Sequence, residues 1–95
     1  MKEKLTEEEL KKHKCKFTYR GIDVEIAPFT DNACTEIHDY GAIFYKDGAR
    51  LLVVRSGWNC LIYRTLAGCM EKSKKFIDAM IDKNITRVDD FNEYD

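Results

Sequence analysis

The sequence lacks every short motif that would identify a catalytic or cofactor-binding site. It contains no glycine-rich phosphate loop, no HExxH or DxDxDG pattern, no CxxC pair and no recognisable frame of paired catalytic carboxylates. In a chain of 95 residues, these absences lower the expectation of catalysis. We predict that the protein is not an enzyme and that it binds no cofactor and no metal ion.

Long apolar runs and a strong net charge are also missing. No window approaches the roughly 18 apolar residues of a membrane span, and the opening segment MKEKLTEEEL has no apolar signal-peptide core. We therefore expect a cytoplasmic protein with no membrane partner. The formal net charge of −1 also disfavours a general attraction to nucleic acid.

Proline is almost absent, with a single residue, while 44% of the chain is hydrophobic and 35% is charged. This composition is typical of a globular protein rather than a disordered one. We predict one domain over residues 1–85, followed by an acidic tail over residues 86–95 that is partly flexible. Four cysteines allow three disulfide pairings, but the lack of a secretion signal favours reduced, mostly buried thiols.

Two glycine-containing turns predict two β-hairpins. Asp47-Gly48 has the residues of a two-residue type I′ turn and sets Tyr45 against Arg50. The strands that flank it are apolar on both faces, which predicts a sheet that is covered on both sides. The other turn, Arg20-Gly21, places Lys16 opposite Glu25 on a polar face, and we expect its second strand to end at Pro28.

A third turn signal, Ser56-Gly57, predicts that the second hairpin extends to a meander of residues 41–46, 49–55 and 58–64. In that register Tyr63 lies beside Arg50. Two helices complete the prediction. A capping box at Thr6 and Glu9 starts a short helix over residues 7–14, and Thr65 caps an amphipathic helix over residues 66–83.

These elements predict an α+β domain. It has an antiparallel sheet of about five strands, a long C-terminal helix on one face and a short N-terminal helix. The segment 30–41 begins with residues that favour helix caps, and we expect one or two helical turns there. In such a helix Cys34 and His38 share a face, which is the basis for a less favoured alternative function, a thiol or zinc enzyme.

The predicted row of Tyr45, Arg50 and Tyr63 is the main candidate for partner binding. An arginine between two tyrosines is typical of a protein-binding hot spot, and such a face also stacks unpaired bases. The alternatives are therefore a protein partner, a single-stranded nucleic acid, or internal packing under another element. A homodimer through the apolar sheet face is also compatible with the pattern.

Acidic residues near the C-terminus form a second candidate surface that could mimic nucleic-acid phosphates. They are Asp78, Asp82, Asp89, Asp90, Glu93 and Asp95. The alternative is that these acidic residues only increase the solubility of the protein. If they act as a mimic, removing residues 86–95 should weaken partner binding.

Charge alternates in blocks along the chain, with net values of +3 for residues 1–20, −5 for 21–49, +5 for 50–77 and −4 for 78–95. In size, charge blocks and lack of catalytic motifs, the chain resembles the small inhibitors of host defence complexes that phages and mobile elements encode, anti-CRISPR proteins among them. That resemblance covers no defined residues and implies no site. It favours a protein that acts by occupying a partner's surface.

Overall fold

Seven elements follow one another in the computed structural model, which describes residues 3–51, 60–85 and 87. They are α1 (Glu7–Lys12), β1 (Cys15–Tyr19), β2 (Ile22–Thr30), β3 (Ile37–Lys46), β4 (Ala49–Leu51), β5 (Leu61–Tyr63) and α2 (Leu66–Asp82). The strands form one antiparallel sheet in the order β1-β2-β3-β4, with β5 also paired to β3, and α2 packs on it. The predicted α+β class is confirmed.

Both two-residue hairpins form in the predicted register. Tyr19 pairs with Ile22 around Arg20-Gly21, and Tyr45 pairs with Arg50 on either side of Asp47-Gly48. The turn residues have positive φ, with values of 51° and 83° in the first turn and 52° and 81° in the second. Type I′ turns require this backbone, because their twist matches the right-handed twist of the strands that they join.

The predicted end of the second strand at Pro28 is wrong, because β2 continues to Thr30 and pairs Pro28 with Tyr40 of β3. β1 begins at Cys15, opposite Ile26. Alternate residues of β2 point their N–H groups toward β1. Pro28 therefore lacks its N–H on the side where β1 has ended, and the strand continues without losing a ladder hydrogen bond.

The helix predicted within residues 30–41 is also wrong. A turn occupies residues 32–34, and β3 begins at Ile37. The Asp31 carboxylate accepts hydrogen bonds from the Thr35 N–H and the Thr35 hydroxyl, both at 2.7 Å, and from the Glu36 N–H at 3.2 Å. Local hydrogen bonds of this kind compete with helix formation. Aspartate, a residue that often caps helices, therefore also stabilises loops, as Asp31 does here.

The meander is only partly correct. β5 pairs with β3 and not with β4, so that Tyr63 lies opposite Tyr40 and Ile62 lies opposite Gly41. β3 has 10 residues, and β4 and β5 occupy successive parts of the same edge. The remainder of the predicted middle strand and the Ser56-Gly57 turn lie outside the described residues.

The core lies between the sheet and α2, where the rings of Phe44 and Phe76 meet with centroids 5.2 Å apart. The Thr65 hydroxyl accepts from the Gly68 N–H at 3.0 Å and caps α2, as predicted. Asn84 follows the helix with φ of 55°. The apolar pattern of the central strands predicted that other elements pack on both faces of the sheet. α2 packs on one of these faces.

β1 and α2 contact each other at regular intervals along their lengths. Two residues of a strand advance about 6.6 Å and four residues of a helix about 6 Å, so contacts recur with these two periods. The contacting pairs are Cys15 with Met70 at 3.9 Å between sulfurs, Phe17 with Lys74 at 6.0 Å from ring centroid to Nζ, and Tyr19 with Asp78 at 3.0 Å. This spacing aligns the first hairpin with the helix.

Candidate functional site

The face of the sheet opposite α2 bears the candidate site, and we call it the outer face. Side chains alternate along each strand, and Phe17, Val24 and Phe44 point toward the helix. Their neighbours therefore point outward. The outer face comprises Lys16, Thr18, Asp23, Glu25, Ala27, Ile43, Tyr45 and Arg50.

One row of the outer face crosses four strands. Thr18 pairs with Asp23, Asp23 pairs with Tyr45, and Tyr45 pairs with Arg50. The Thr18 hydroxyl donates to the Asp23 carboxylate. Tyr45 is half-buried, whereas Asp23 and Arg50 are exposed. The tyrosine ring therefore lies between a strand that contributes a carboxylate and a strand that contributes a guanidinium.

The next row consists of Lys16, Glu25 and Ile43, again joined by the strand register. Lys16 Nζ lies 3.0 Å from Glu25 Oε1, which confirms the predicted pairing across the polar face. The Lys16 side chain is 80% exposed and that of Glu25 is 40% exposed. Solvent screens a pair of this kind, so it adds little to stability and leaves both groups accessible.

An open groove of about 410 Å³ lies between these two rows. Its volume is in the range of ligand pockets, roughly 300–1,000 Å³. The residues that line it come from the first three strands and the second turn. They are Lys16, Phe17, Thr18, Asp23, Val24, Glu25, Tyr45 and Gly48.

Tyr63 does not belong to this face, although the sequence predicted it beside Arg50. It pairs with Tyr40, a buried core residue, and so points to the same side as α2. Its ring packs against Gly68, and Lys72 Nζ lies 5.5 Å from the ring centroid. The structure brings Tyr45 and Arg50 together and places Tyr63 in the packing between β5 and α2.

Asp78 and Asp82, predicted as part of an acidic binding surface, both have an internal partner. Arg20 Nη1 lies 2.9 Å from Asp78 Oδ1 and 3.1 Å from Asp82 Oδ2. The Tyr19 hydroxyl donates to Asp78 at 3.0 Å. The other predicted acidic residues, Asp89, Asp90, Glu93 and Asp95, lie outside the described residues.

These contacts shift three pKa values. The Arg20 hydrogen bonds lower the pKa of Asp82, and the same bonds raise the pKa of Arg20. The hydrogen bond to Asp78 raises the pKa of the Tyr19 hydroxyl above its ordinary value. The two aspartates therefore carry charge that an internal cation partly neutralises, which weakens their resemblance to phosphates.

Cys34 and His38 do not share a helical face. Cys34 lies in the turn with φ of 57° and is exposed, and His38 is in β3. The geometry on which a thiol or zinc enzyme was predicted is therefore wrong. Within residues 3–51, 60–85 and 87, no group of three or more His, Cys, Asp or Glu side chains is placed to hold a metal ion.

All four cysteines are free thiols. Cys60 and Cys69 are buried, Cys15 is half-buried and Cys34 is exposed, so the prediction of mostly buried thiols is correct for two of the four. Burial raises the pKa of the Cys69 thiol to about 12. This thiol stays protonated at neutral pH and is therefore a poor nucleophile.

Sequence reasoning missed the groove because it assembled each hairpin separately. The two hairpin registers were predicted, but the pairing of β2 with β3 was not. That pairing sets Asp23 beside Tyr45 and Glu25 beside Ile43. The sequence contains a signal for the pairing of β2 with β3. Polar and core residues alternate along β2, and in the observed register the polar residues Asp23 and Glu25 lie opposite Tyr45 and Ile43 of β3.

Neither helix of the described part of the chain has the length and apolar character that a membrane crossing requires. Comparisons with protein-family models, with curated proteins and with solved structures find no match for the chain.

Proposed function

We propose that the protein is a small cytoplasmic interaction protein that binds a protein partner through its outer face and acts by occupying the partner's surface. The observation that supports this most directly is the groove beside Tyr45 on the sheet face opposite α2. In this role the protein carries out no chemistry of its own.

The composition of the outer face supports a protein partner. Tyr45 and Ile43 form a half-buried centre, and the exposed charges of Lys16, Asp23 and Arg50 surround it. Protein interfaces commonly have an aromatic and apolar centre within a polar rim, with tyrosine and arginine among the most frequent hot-spot residues.

The same face is poorly suited to a single-stranded nucleic acid. Such proteins combine stacked aromatic residues with a positively charged track for phosphates. Here Tyr63 lies on the other side of the sheet, and two carboxylates, Asp23 and Glu25, line the groove. Phosphates would meet these negative charges, which lowers the expected affinity.

An inhibitor of a larger complex is the specific role that we propose for such a binding protein. Occupying a surface needs only a stable scaffold and a complementary face, and the sheet with α2 provides the scaffold. This is the anti-defence role of the small phage and mobile-element inhibitors that the chain resembles in size and charge pattern.

Site-specific photocrosslinking tests the proposal. A photoreactive amino acid at Ala27, exposed on the outer face, is compared with one at Lys75, exposed on α2. We expect one protein from the cells that naturally contain the chain to crosslink at position 27 and not at position 75. Equal crosslinking at both positions, or none at position 27, would contradict the proposal.

Binding to the purified partner then provides the quantitative test. We expect Tyr45→Ala and Arg50→Ala each to weaken binding by about tenfold or more, which is typical of a hot-spot truncation. Lys75→Ala is the matched control and should leave the Kd unchanged. A salt titration with an oligo-dT probe tests the nucleic-acid alternative, and tight, salt-dependent binding to that probe would overturn the protein-partner proposal.

A further inference from the structure

The groove next to Tyr45 has the chemistry to receive a cation. We infer that it binds an arginine side chain of the protein partner, with the guanidinium beside the Tyr45 ring and near the carboxylates of Asp23 and Glu25. This inference rests on the proposed function and names the partner chemistry at that face.

The charges that line the groove favour a positively charged group of the partner. The charged groups that line the groove are Lys16, Asp23 and Glu25, which leaves one net negative charge. The Lys16 side chain is 80% exposed, so its pairing with Glu25 is readily exchanged for another cation. A partner that brings a positive charge is therefore complementary to this part of the outer face, although the whole chain is nearly neutral.

The two carboxylates of the groove can accept more hydrogen bonds than they receive within the described residues. An ionised carboxylate accepts up to about four hydrogen bonds. Within the described residues, Asp23 accepts one side-chain bond, from Thr18, and Glu25 has one ion pair, with Lys16. Each carboxylate therefore has capacity for further donors, and a guanidinium supplies five N–H groups.

The aromatic wall favours arginine over lysine. A planar guanidinium stacks on an aromatic face while its N–H groups remain available at the edge, whereas an ammonium group is more strongly hydrated. Tyr45 lies between Asp23 and Arg50 in one row. Because Arg50 repels a cation, the guanidinium enters from the side of β1 and β2, where the carboxylates lie.

Titration with a small probe tests the site without the partner. N-acetyl-arginine amide is added to the ¹⁵N-labelled full chain, and backbone amide shifts are followed by NMR. We expect saturable shifts at Asp23, Glu25 and Tyr45 with a Kd on the order of millimolar, because one side chain contributes few contacts. The uncharged N-acetyl-citrulline amide should give no saturable shift, and N-acetyl-lysine amide should bind more weakly.

Matched variants test which residues are responsible. The double variant Asp23→Asn with Glu25→Gln should weaken binding of the arginine probe about fivefold, since each exposed ion pair contributes modestly. Glu8→Gln with Glu71→Gln makes the same change in net charge on the two helices and should leave the Kd unchanged. Equal Kd values for the two double variants, or equal binding of the arginine and citrulline probes, would overturn the inference. Equal binding of lysine would overturn the assignment to arginine.

Failure of this inference is distinguishable from failure of the proposed function. If the partner crosslinks at position 27 but the arginine probe causes no saturable shift at Asp23 and Glu25, the outer face still binds a partner. Only the assignment of arginine is then wrong. If position 27 does not crosslink while the probe binds as expected, the proposed function fails and the groove remains a cation-binding site.

Discussion

Arg20 binds Asp82 through two hydrogen bonds, each 3.1 Å long, which connect the two nitrogens of one guanidinium to the two oxygens of one carboxylate. Arg20 lies in the first hairpin turn and Asp82 is the last residue of α2, and 62 positions separate them. A bidentate pair fixes both distance and orientation. It therefore attaches the end of the helix to the sheet.

We predict that Asp82→Asn lowers the melting temperature at low salt and lowers it less at high salt. Asparagine keeps the size of the side chain but removes the charge that Arg20 binds. A carboxylate at a helix C-terminus is unfavourable to the helix dipole. If the ion pair with Arg20 contributed nothing, removing the Asp82 carboxylate would therefore raise the melting temperature. The sign of the change thus shows whether the ion pair stabilises the fold. Thermal unfolding followed by circular dichroism measures it.

The control for Asp82→Asn is Glu71→Gln on the same helix. The Glu71 carboxylate lies 3.8 Å from Lys74 Nζ, and its side chain is 71% exposed. We expect no change in melting temperature for this variant. A melting temperature for Asp82→Asn that equals or exceeds that of the unmodified chain would contradict the role assigned to the Arg20 pair.

The same ion pair should make stability depend on pH in the acid range. Hydrogen bonds from Arg20 lower the pKa of Asp82 below the ordinary value of 3.8, and bonds from Thr35 lower the pKa of Asp31. Each carboxylate therefore stabilises the fold above its unfolded-state pKa, and that contribution is lost as pH falls through the lower folded-state pKa.

Melting curves between about pH 6 and pH 2 test this linkage. We expect Asp82→Asn and Asp31→Asn each to flatten the decline in melting temperature below pH 3.8. A decline that neither substitution changes would show that other carboxylates are responsible for the acid sensitivity.

The two helix caps should differ in importance although they have the same chemistry. Thr6 accepts from the Glu9 N–H at 3.1 Å, and Thr65 accepts from the Gly68 N–H at 3.0 Å. α1 has no buried residue, whereas α2 contains five. We expect Thr65→Ala to lower the free energy of unfolding by about 1 kcal/mol, because fraying of α2 exposes core residues.

Thr6→Ala should have a smaller effect on global unfolding, because α1 can fray without opening the core. Thr65→Ser is the conservative control, and its hydroxyl should preserve most of the stability. Urea denaturation of the three variants gives the comparison. Equal losses for Thr6→Ala and Thr65→Ala would indicate that α1 is as strongly coupled to the core as α2.

Gly41 should not tolerate a side chain. A Cβ atom at this position would lie 2.5 Å from Phe29 Cε2 and 3.3 Å from Cys60 Sγ. We expect Gly41→Ala to destabilise the fold by about 1–3 kcal/mol through overpacking. In the background Phe29→Ala the same change should cost less, because the ring that obstructs the methyl group is gone. Additive losses in this double-mutant cycle would contradict the explanation.

The cysteines should react with a thiol reagent at three different rates. Cys34 is exposed and should react first, with Cys15 slower, while buried Cys60 and Cys69 should be protected in the folded protein. Four thiols should react after unfolding in denaturant. Fewer than four would indicate a disulfide. In a Cys34→Ser variant, reaction of more than one thiol before unfolding would show that Cys60 or Cys69 is accessible.

Most of the local structure of this protein could be predicted from short segments of its sequence. The turns at Arg20-Gly21 and Asp47-Gly48, the caps at Thr6 and Thr65, and the apolar stripe of α2 depend on residues close together in the chain. Positive φ, a capping hydroxyl and a 3.6-residue period are properties of short segments, and physical chemistry constrains them strongly.

The assembled sheet set how the two hairpins and β5 lie relative to one another, and therefore which side chains meet between them. Tyr63 of β5 pairs with Tyr40 of β3 and does not lie beside Arg50. This pairing is possible because β3 begins at Ile37, within a segment for which the sequence predicted a helix. Arg20 donates hydrogen bonds to Asp82, and Asp23 lies opposite Tyr45 on the neighbouring strand. Both contacts join elements that are far apart in the sequence. Such pairings depend on how well whole elements pack, and no local pattern encodes that energy. The groove on the outer face could be identified only from the assembled sheet, because it requires β2 beside β3.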